Sequence, residues 1–323
     1  MASVKEVAEL AGVSVGTVSR YLNGYKLKAA NMDRIAAAIK QLDYKQNIIA
    51  KGLKNNRSFS IGLLMNSISS RFGAEVVSGI EQLFEAQGYS LILSGFNGDA
   101  QQVDQKLDYL MSRSIDGLIV FLTGEEWNSI EKLADLKIPI VFINRPNNLQ
   151  NADAIVVNDR ESVKQAIQRI IELGHKKIGM ITPQQADYSA KERYGGAKEA
   201  VLGLTDVDLK IYEGDYSRFS GYQGAKELIQ EGITALFVSN YTMSIGALEY
   251  LNVAGIRIGK DIFFGHYDYD DQIKNEEIPM LIIQPPTKAM GLKCAEILLE
   301  HLNNNTTTTG QTIVMKNQID CFN

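Results

Sequence analysis

Gly12-Val13-Ser14-Val15-Gly16 has the G-x-S-x-G spacing of a hydrolase nucleophile elbow, which holds a serine hydroxyl on a strained strand-to-helix turn. That chemistry needs a strand in front and a large sheet around it, and here a helical pattern precedes the glycine. His266 is the one histidine of three with acids close by (Asp268, Asp270 and Asp271), and no nucleophile accompanies it. A solvated acidic loop accounts for this better than a metal site. No phosphate loop or dinucleotide fingerprint follows any strand-like run. No catalytic constellation, cofactor or metal is therefore expected. What remains is recognition chemistry. One set of small, polar or basic residues (Lys5, Ser14, Thr17, Ser19, Arg20, Asn23) is clustered near the first residue of the chain, with the small Val15 and Gly16 among them. A second set is scattered, each member falling just after a strand-like run.

The first set sits on two short helices. Ser3 followed by Glu6 is a capping box, and Val4, Val7, Ala8 and Ala11 form one helical face. Gly12 suits the left-handed stop of that helix. Ser14 is placed to cap a second helix running to about Leu22, with Val18 and Leu22 inward and Val15, Gly16, Ser19 and Arg20 outward. Two short helices meeting at a glycine turn make a helix-turn-helix, whose second helix enters the major groove. Asn31 is expected to cap a third helix with Met32, Ile35, Ala36, Ile39 and Leu42 inward. Asn47 can cap a short helix over Ile48 to Lys54, barely two turns and interrupted by Gly52, so marginal alone.

Charge supports the same division. Residues 1–60 carry ten Lys/Arg against four Asp/Glu, whereas the whole chain of 323 residues has a net charge of −5. A basic segment on an acidic body is the footprint of nucleic-acid contact confined to one end. The composition, 45% apolar and 22% charged, is that of a globular protein of two or three domains. Cys294 and Cys321 give neither metal spacing nor a disulfide framework, and Cys294 is expected in the core. No leader pattern precedes the capping box and no apolar run approaches membrane length, so a cytoplasmic protein without a membrane partner is expected.

Val7-Ala8, Ala11-Gly12-Val13-Ser14, Thr17-Val18-Ser19-Arg20 and Asn23-Gly24 resemble the head of the lactose/galactose repressor (LacI/GalR) family of bacterial transcription regulators. The likeness resumes at Leu42-Asp43-Tyr44, Asn47, Ala50 and Leu53, the family's hinge segment. The resemblance implies that two hinge helices order together on operator DNA, that Leu53 wedges between base steps of the minor groove, and that Asn47, Ala50 and Lys54 join the contact. Gln46 replaces the family's usual proline. Val15 and Gly16 are small where relatives often carry hydrogen-bonding readers, which implies fewer base contacts or more shape readout.

From Ser60 onward short apolar runs alternate with amphipathic helical runs, the pattern of parallel sheets covered on both faces, and the pattern occurs twice. One of its helices is expected over Glu125–Leu136. Ligands of such sheets bind beyond the carboxyl ends of the strands. The candidates are thus Ser69, Ser70, Arg71 and Phe72, then Asn97, Phe121 and Leu122, Asn144 and Arg145, and Asp159. In the second half they are Tyr188 to Arg193, Tyr216, Asn240, and His266 to Asp268. The resemblance continues loosely here, at Leu173-Gly174-His175, Gly214-Asp215, Ser239-Asn240 and Asp261-Ile262. It implies that Arg193, Asn240 and Asp268 bind effector hydroxyls, that Asp159 helps, and that Tyr216 stacks on the effector. Tyr241 stands where the family has Asp and His266 where it has Gly, and Phe121 and Leu122 make one edge apolar.

The reading is an all-α helix-turn-helix head (1–46), a hinge helix and linker (47–59), and an α/β two-lobe effector domain like periplasmic binding proteins (60–323). Lobe 1 is expected at about 60–158 and 287–311, lobe 2 at about 159–286 and 312–323. The function expected is a homodimeric repressor on double-stranded operator DNA, controlled by a small molecule, a sugar or sugar derivative, in the cleft. The alternatives are control by a phosphoprotein co-repressor and, remotely, a two-lobe sugar-binding transport protein.

Overall fold

The computed structural model describes residues 2–45, 52, 57–69, 71–122, 130–146, 149–267, 279–304, 306 and 310–322. It divides into two compact units, Met1–Phe59 and Ser60–Asn323. The hinge residues Asn47, Ala50, Leu53 and Lys54, and Ser70 and Asp268 in the body, lie outside the described residues.

The head contains α1 (Val4–Ala11), α2 (Val15–Leu22) and α3 (Ala29–Gln41). The capping box is formed: the Ser3 N–H donates to Glu6 Oε2 (2.7 Å) and the Glu6 N–H to Ser3 Oγ (3.3 Å). Gly12 ends α1 with φ 61°, a conformation that costs a residue with a Cβ. Val7, Ala8, Ala11, Val18, Ile35 and Ala38 close a small core. Two expectations for α3 are corrected. The helix begins two residues before Asn31, with Lys28 at the cap and no side-chain cap bond. Asn31 Oδ1 instead accepts from Arg34 Nη2 (2.7 Å). Ala36 is exposed and Ala38 buried, because the start of the helix places its inner stripe on 35, 38 and 42.

In the body, lobe 1 is built from β1 (Ser60–Met65), α4 (Arg71–Ala86), β2 (Ser90–Gly95), α5 (Val103–Ser112), β3 (Gly117–Phe121), β4 (Ile140–Ile143) and β5 (Ala152–Val157). The chain then enters lobe 2 through α6 (Asp159–Glu172), β6 (Lys177–Pro183), α7 (Tyr188–Val201), β7 (Asp208–Gly214) and α8 (Arg218–Gln230). It continues with β8 (Ala235–Val238), α9 (Tyr241–Val253), β9 (Phe263–Tyr267) and β10 (Met280–Gln284). It returns to lobe 1 with α10 (Thr287–Asn304) and β11 (Thr312–Met315), and ends in lobe 2 with β12 (Gln318–Phe322). The sheets are ordered β11-β5-β4-β3-β1-β2 and β12-β10-β9-β8-β6-β7. All pairs are parallel except β10 with β12. Placing 312–315 in lobe 2 is therefore corrected: Thr312 pairs with Ala154 in the first sheet, and the chain crosses between Met315 and Gln318. The expected helix over Glu125–Leu136 is also corrected. Its described part, Ile130–Asp135, is a 3₁₀ segment, and 123–129 lie outside the described residues.

Strands β3, β4 and β5 are buried along their whole length, as sheets covered on both faces require. Helices α4 and α10 approach backbone to backbone at Gly79 and Gly291. A Cβ on Gly79 would lie 2.3 Å from Lys288 O, and one on Gly291 2.1 Å from Val76 O. Since backbone cannot yield as a side chain does, Gly291→Ala is expected to cost about 1–3 kcal/mol of stability, read as a lower urea midpoint at unchanged slope. An unchanged midpoint would show that the two helices can part at no cost. Cys294, on α10, is fully buried and its thiol is pushed up by that burial.

Candidate ligand cavity and DNA-reading face

The carboxyl ends of the strands of both lobes open on one cavity of about 830 Å3, within the range of small-molecule sites. Lobe 1 contributes Phe121 at the end of β3, Asn144 after β4, and the first turn of α4 with Arg71 and Phe72. Phe72 and Phe121 pack as a tilted pair, ring centroids 5.7 Å apart. Arg71 Nε bonds Glu75 Oε1 (2.9 Å), and Glu75 Oε2 also accepts from the Thr287 hydroxyl where the chain re-enters lobe 1. Lobe 2 contributes Ser189 and Arg193 from α7, Tyr216 after β7, and Asn240 with Tyr241 and Thr242 at the start of α9.

Arg193 is the centre of the lobe 2 wall, and it is 4% exposed. Its Nη1 donates to Ser239 O (2.7 Å), its Nε lies 3.4 Å from Asp159 Oδ2, and its guanidinium stacks 3.5 Å over the Tyr267 ring. The Tyr267 hydroxyl donates to Asp159 Oδ1 and accepts from Asn317 Nδ2 (2.7 Å). The Asn317 N–H donates to Asn158 Oδ1 (2.7 Å). Asn158 and Asn317 belong to the first and third crossings, so this network binds two crossings to the wall. Tyr216 has φ 68°, and its hydroxyl donates to Asp187. Burial pushes the Asp187 carboxyl up, against the lowering by its bonds from Tyr216 and the Ala190 N–H. Burial first, and then the Asp187 charge, holds the Tyr216 phenol well above its usual range.

Of the residues singled out in the sequence, Ser69, Arg71, Phe72, Phe121, Asn144, Ser189, Arg193, Tyr216 and Asn240 line the cavity. Asn240 also caps α9, where its Oδ1 accepts from the Met243 N–H (3.2 Å). Asn97 is not on the wall. It is exposed in the turn after β2 at φ 48°, its N–H on Asn66 O (3.0 Å). Asp159 is not on the wall either. It lies 2% exposed behind Arg193, because the first turn of α6 points it into the junction rather than the cleft. Sequence reasoning placed Tyr267 among the strand-end candidates but missed Asp187 and Asn317, and the wall residues Glu75 and Lys316. Asp187 alone had a local signal, as an N-cap acid before a helical run.

His266 is removed from this chemistry. It is fully buried, stacked on Phe264 (5.8 Å), and neither ring nitrogen has a hydrogen-bond partner among the described residues. Burial pushes it down from 6.5 to about 4. The folded state thus refuses a proton that the unfolded chain accepts, so stability is full above about pH 6.5 and falls as the pH drops towards 4, by about 3 kcal/mol at most. His266→Phe is expected to flatten this acid slope in urea unfolding between pH 7 and 4. Parallel slopes would place the acid sensitivity elsewhere. Among the described residues, no group of three or more His, Cys, Asp or Glu side chains could hold a metal ion, and no helix is long and apolar enough to cross a membrane.

On the head, Val15, Gly16 and Arg20 are exposed on α2 and Lys5 is exposed on α1, while Thr17 and Ser19 are half-buried. Ser14 is occupied as a cap: its Oγ accepts from the Thr17 N–H (3.2 Å) and lies 2.8 Å from Thr17 Oγ1. Asn23 Nδ2 donates back to Ser19 O (2.8 Å). The surface that α2 offers is thus small and mostly uncommitted at Val15 and Gly16, with one cation at Arg20.

A helix-turn-helix unit followed in the same chain by a two-lobe α/β body around a cavity defines a DNA-binding regulator. The profile described as "Bacterial regulatory proteins, lacI family" matches residues 3–47, and that of a "Periplasmic binding protein domain" matches residues 61–306. The chain is 31% identical over 307 residues to the HTH-type transcriptional repressor PurR of Actinobacillus pleuropneumoniae serotype 3 (strain JL03), covering 94% of this chain and 91% of that one. The fold matches the lac repressor dimer bound to operator and the anti-inducer ONPF (TM-score 0.83, 22% identity, 99% of this chain and 98% of that one). It also matches the transcriptional regulator CelR–cellobiose complex (TM-score 0.72, 25% identity, 100% and 99%). The chain belongs to the lacI family of bacterial regulatory proteins and is a DNA-binding transcriptional repressor of that family, not an enzyme.

Proposed function

We propose that this repressor acts as a cytoplasmic homodimer whose operator affinity is set by a small polar molecule, a sugar or sugar derivative, in the cavity between the lobes. The observation that carries this reading is the wall itself: a buried guanidinium (Arg193), a capping amide (Asn240) and three aromatic rings (Phe72, Phe121, Tyr216) face one space of about 830 Å3. Amides and guanidinium suit vicinal hydroxyls, and rings suit the apolar face of a pyranose. The complex of the structural relative with cellobiose is in keeping with that.

On the DNA side the head reads the major groove with α2. Val15 offers an apolar contact suited to a thymine methyl, Gly16 lets the helix approach closely, and Ser14, Thr17, Ser19, Arg20, Asn23 and Lys5 hold phosphates and base edges. Asn47, Ala50, Leu53 and Lys54 form the minor-groove contact. The reading is tested by thermal unfolding against aldoses, disaccharides, sugar phosphates and nucleobases, followed by operator binding with any hit. A ligand at a hundredfold its dissociation constant adds about 2.7 kcal/mol, or about 5–10 °C here. A sugar hit that changes operator affinity supports the reading. A nucleobase hit replaces the sugar, and a hit without effect on DNA refutes the control.

A further inference from the structure

We infer that Asn317 is a positioning residue for the response to ligand: its side-chain amide carries a change at the Arg193 wall to the first and third crossings between the lobes. The third crossing is short. β11 ends at Met315 and β12 begins at Gln318, so only Lys316 and Asn317 turn the chain from one sheet to the other. The Asn317 N–H donates to Asn158 Oδ1 (2.7 Å) and the Asn158 N–H to Met315 O (3.0 Å), which joins the two crossings in both directions. Both protons of Asn317 Nδ2 are used. One goes to the Tyr267 hydroxyl (2.7 Å) and the other to Ser162 Oγ (3.1 Å), whose own proton goes to Asn158 O (2.9 Å). The fully buried Tyr267 in turn donates to Asp159 and carries the Arg193 guanidinium 3.5 Å over its ring.

A ligand that bonds Arg193 draws on a group that rests on this ring and on the Asp159 carboxylate. Close-packed interiors transmit such a displacement rather than absorb it. Tyr267 shares one hydroxyl between Asp159 and Asn317, so a tilt of its ring changes the bond that reaches the crossing. A link of two residues has little slack to take that up. The second crossing is anchored elsewhere, where the Thr287 hydroxyl bonds Glu75. A further observation gives Asn317 two settings. Its Oδ1 is buried and has no hydrogen-bond partner among the described residues. A buried carbonyl without a donor is costly and rare, so a setting of the crossings that brings it a donor is favoured by that bond. An element with two such settings, biased by both sites, is what couples one site to another. This role rests on the reading of the cavity as a ligand site that sets operator affinity.

The test compares the unsubstituted full chain with Asn317→Ala, Tyr267→Phe, the double variant and Ser162→Ala. The probes are cellobiose, D-glucose, D-fructose 1-phosphate and hypoxanthine. The DNA is a labelled duplex that the unsubstituted protein selects from a random pool. Thermal shift gives probe affinity, and fluorescence anisotropy gives the ratio of duplex affinities with and without saturating probe. For a probe that sets this ratio at about 5- to 150-fold in the unsubstituted protein, N317A is expected to bring it within about 2-fold of unity while still binding the probe. Y267F keeps the ring under Arg193 and loses the hydroxyl, so it is expected to lower the ratio as well. The double variant is expected to lower it no further, because both changes break one link. S162A removes the other partner of the same amide and is expected to keep the ratio. A ratio kept by N317A overturns the role and leaves the cavity reading standing. A ratio lost together with probe binding assigns Asn317 to the fold of the wall, and an equal loss in S162A assigns it to general loosening; either overturns the role. Additive losses in the double variant overturn the link through Tyr267. Should N317A not fold, Y267F decides alone, and a kept ratio overturns the role. A panel without effect on the unsubstituted protein overturns the cavity reading, and the role of Asn317 falls with it.

Discussion

Arg193→Ala is expected to destabilise the two-lobe body by about 3–5 kcal/mol, the cost of leaving a buried charge without its partner. The reason is Asp159. It is 2% exposed, and its Oδ2 faces Arg193 Nε at 3.4 Å. Removing the guanidinium leaves the carboxylate with the Tyr267 hydroxyl as its one side-chain partner among the described residues, and it also uncovers the Tyr267 ring and the Ser239 carbonyl. The control is Arg193→Met combined with Asp159→Asn. Replacing both charges with neutral groups of similar size is often nearly neutral, so the double variant is expected to regain most of the lost stability while still failing to bind ligand. Urea unfolding gives the first quantity and ligand-induced thermal shift the second. If the double variant is as unstable as Arg193→Ala, the pair is not what holds this region, and the Ser239 bond becomes the better explanation.

Removing residues 1–59 is expected to abolish operator binding and to leave the unfolding of the body and its ligand response intact. The body is a compact unit beginning at Ser60. Residues 1–60 carry the basic excess, and the remainder is acidic. The truncated chain therefore lacks even the sequence-independent attraction to phosphates, and its affinity for any duplex is expected to be weaker than about 10⁻⁴ M. For the full chain, operator affinity falls steeply with salt, because each neutralised phosphate releases counterions. Fluorescence anisotropy with labelled operator at several salt concentrations measures both. Salt-sensitive binding retained by 60–323 would move the DNA contact into the body and remove the case for the α2 face.

Features set by neighbours in the chain were legible from the sequence. The capping box of Ser3 and Glu6, the left-handed Gly12, the Ser14 cap and the strand–helix alternation depend on spacings of a few residues, and all are present. The cap of α3 does not follow residue type: Asn31 is a good cap residue, whereas the helix takes its start from Lys28. The edge of the first sheet is not legible locally, because residues 312–315 look alike whether they pair with β5 or β10, and only the tertiary fold chooses. In the cavity the rule that ligands sit beyond strand ends located Phe72, Phe121, Arg193, Tyr216 and Asn240 on the wall. It could not separate Arg193 from Asp159 behind it, since both follow strands. Tyr267 is a candidate by the same rule, but its bond to Asp159 across 108 residues, and that of Asn317 to Tyr267 across 50, leave no local pattern.

The strands β11 and β12 complete the edges of different sheets, although they are only three residues apart in the chain. Both lobes therefore wait for the same short stretch. During synthesis, which releases the chain from its first residue onward, the head's local helices can form while translation continues. The body cannot: β5 and β10 keep bare edges until residues 312–322 have left the ribosome. Until then each lobe offers open hydrogen-bonding groups to any neighbouring chain. A ribosome stalled shortly before Thr312 would hold out a finished reading head on an unsealed body, one able to find DNA before it is able to answer a ligand.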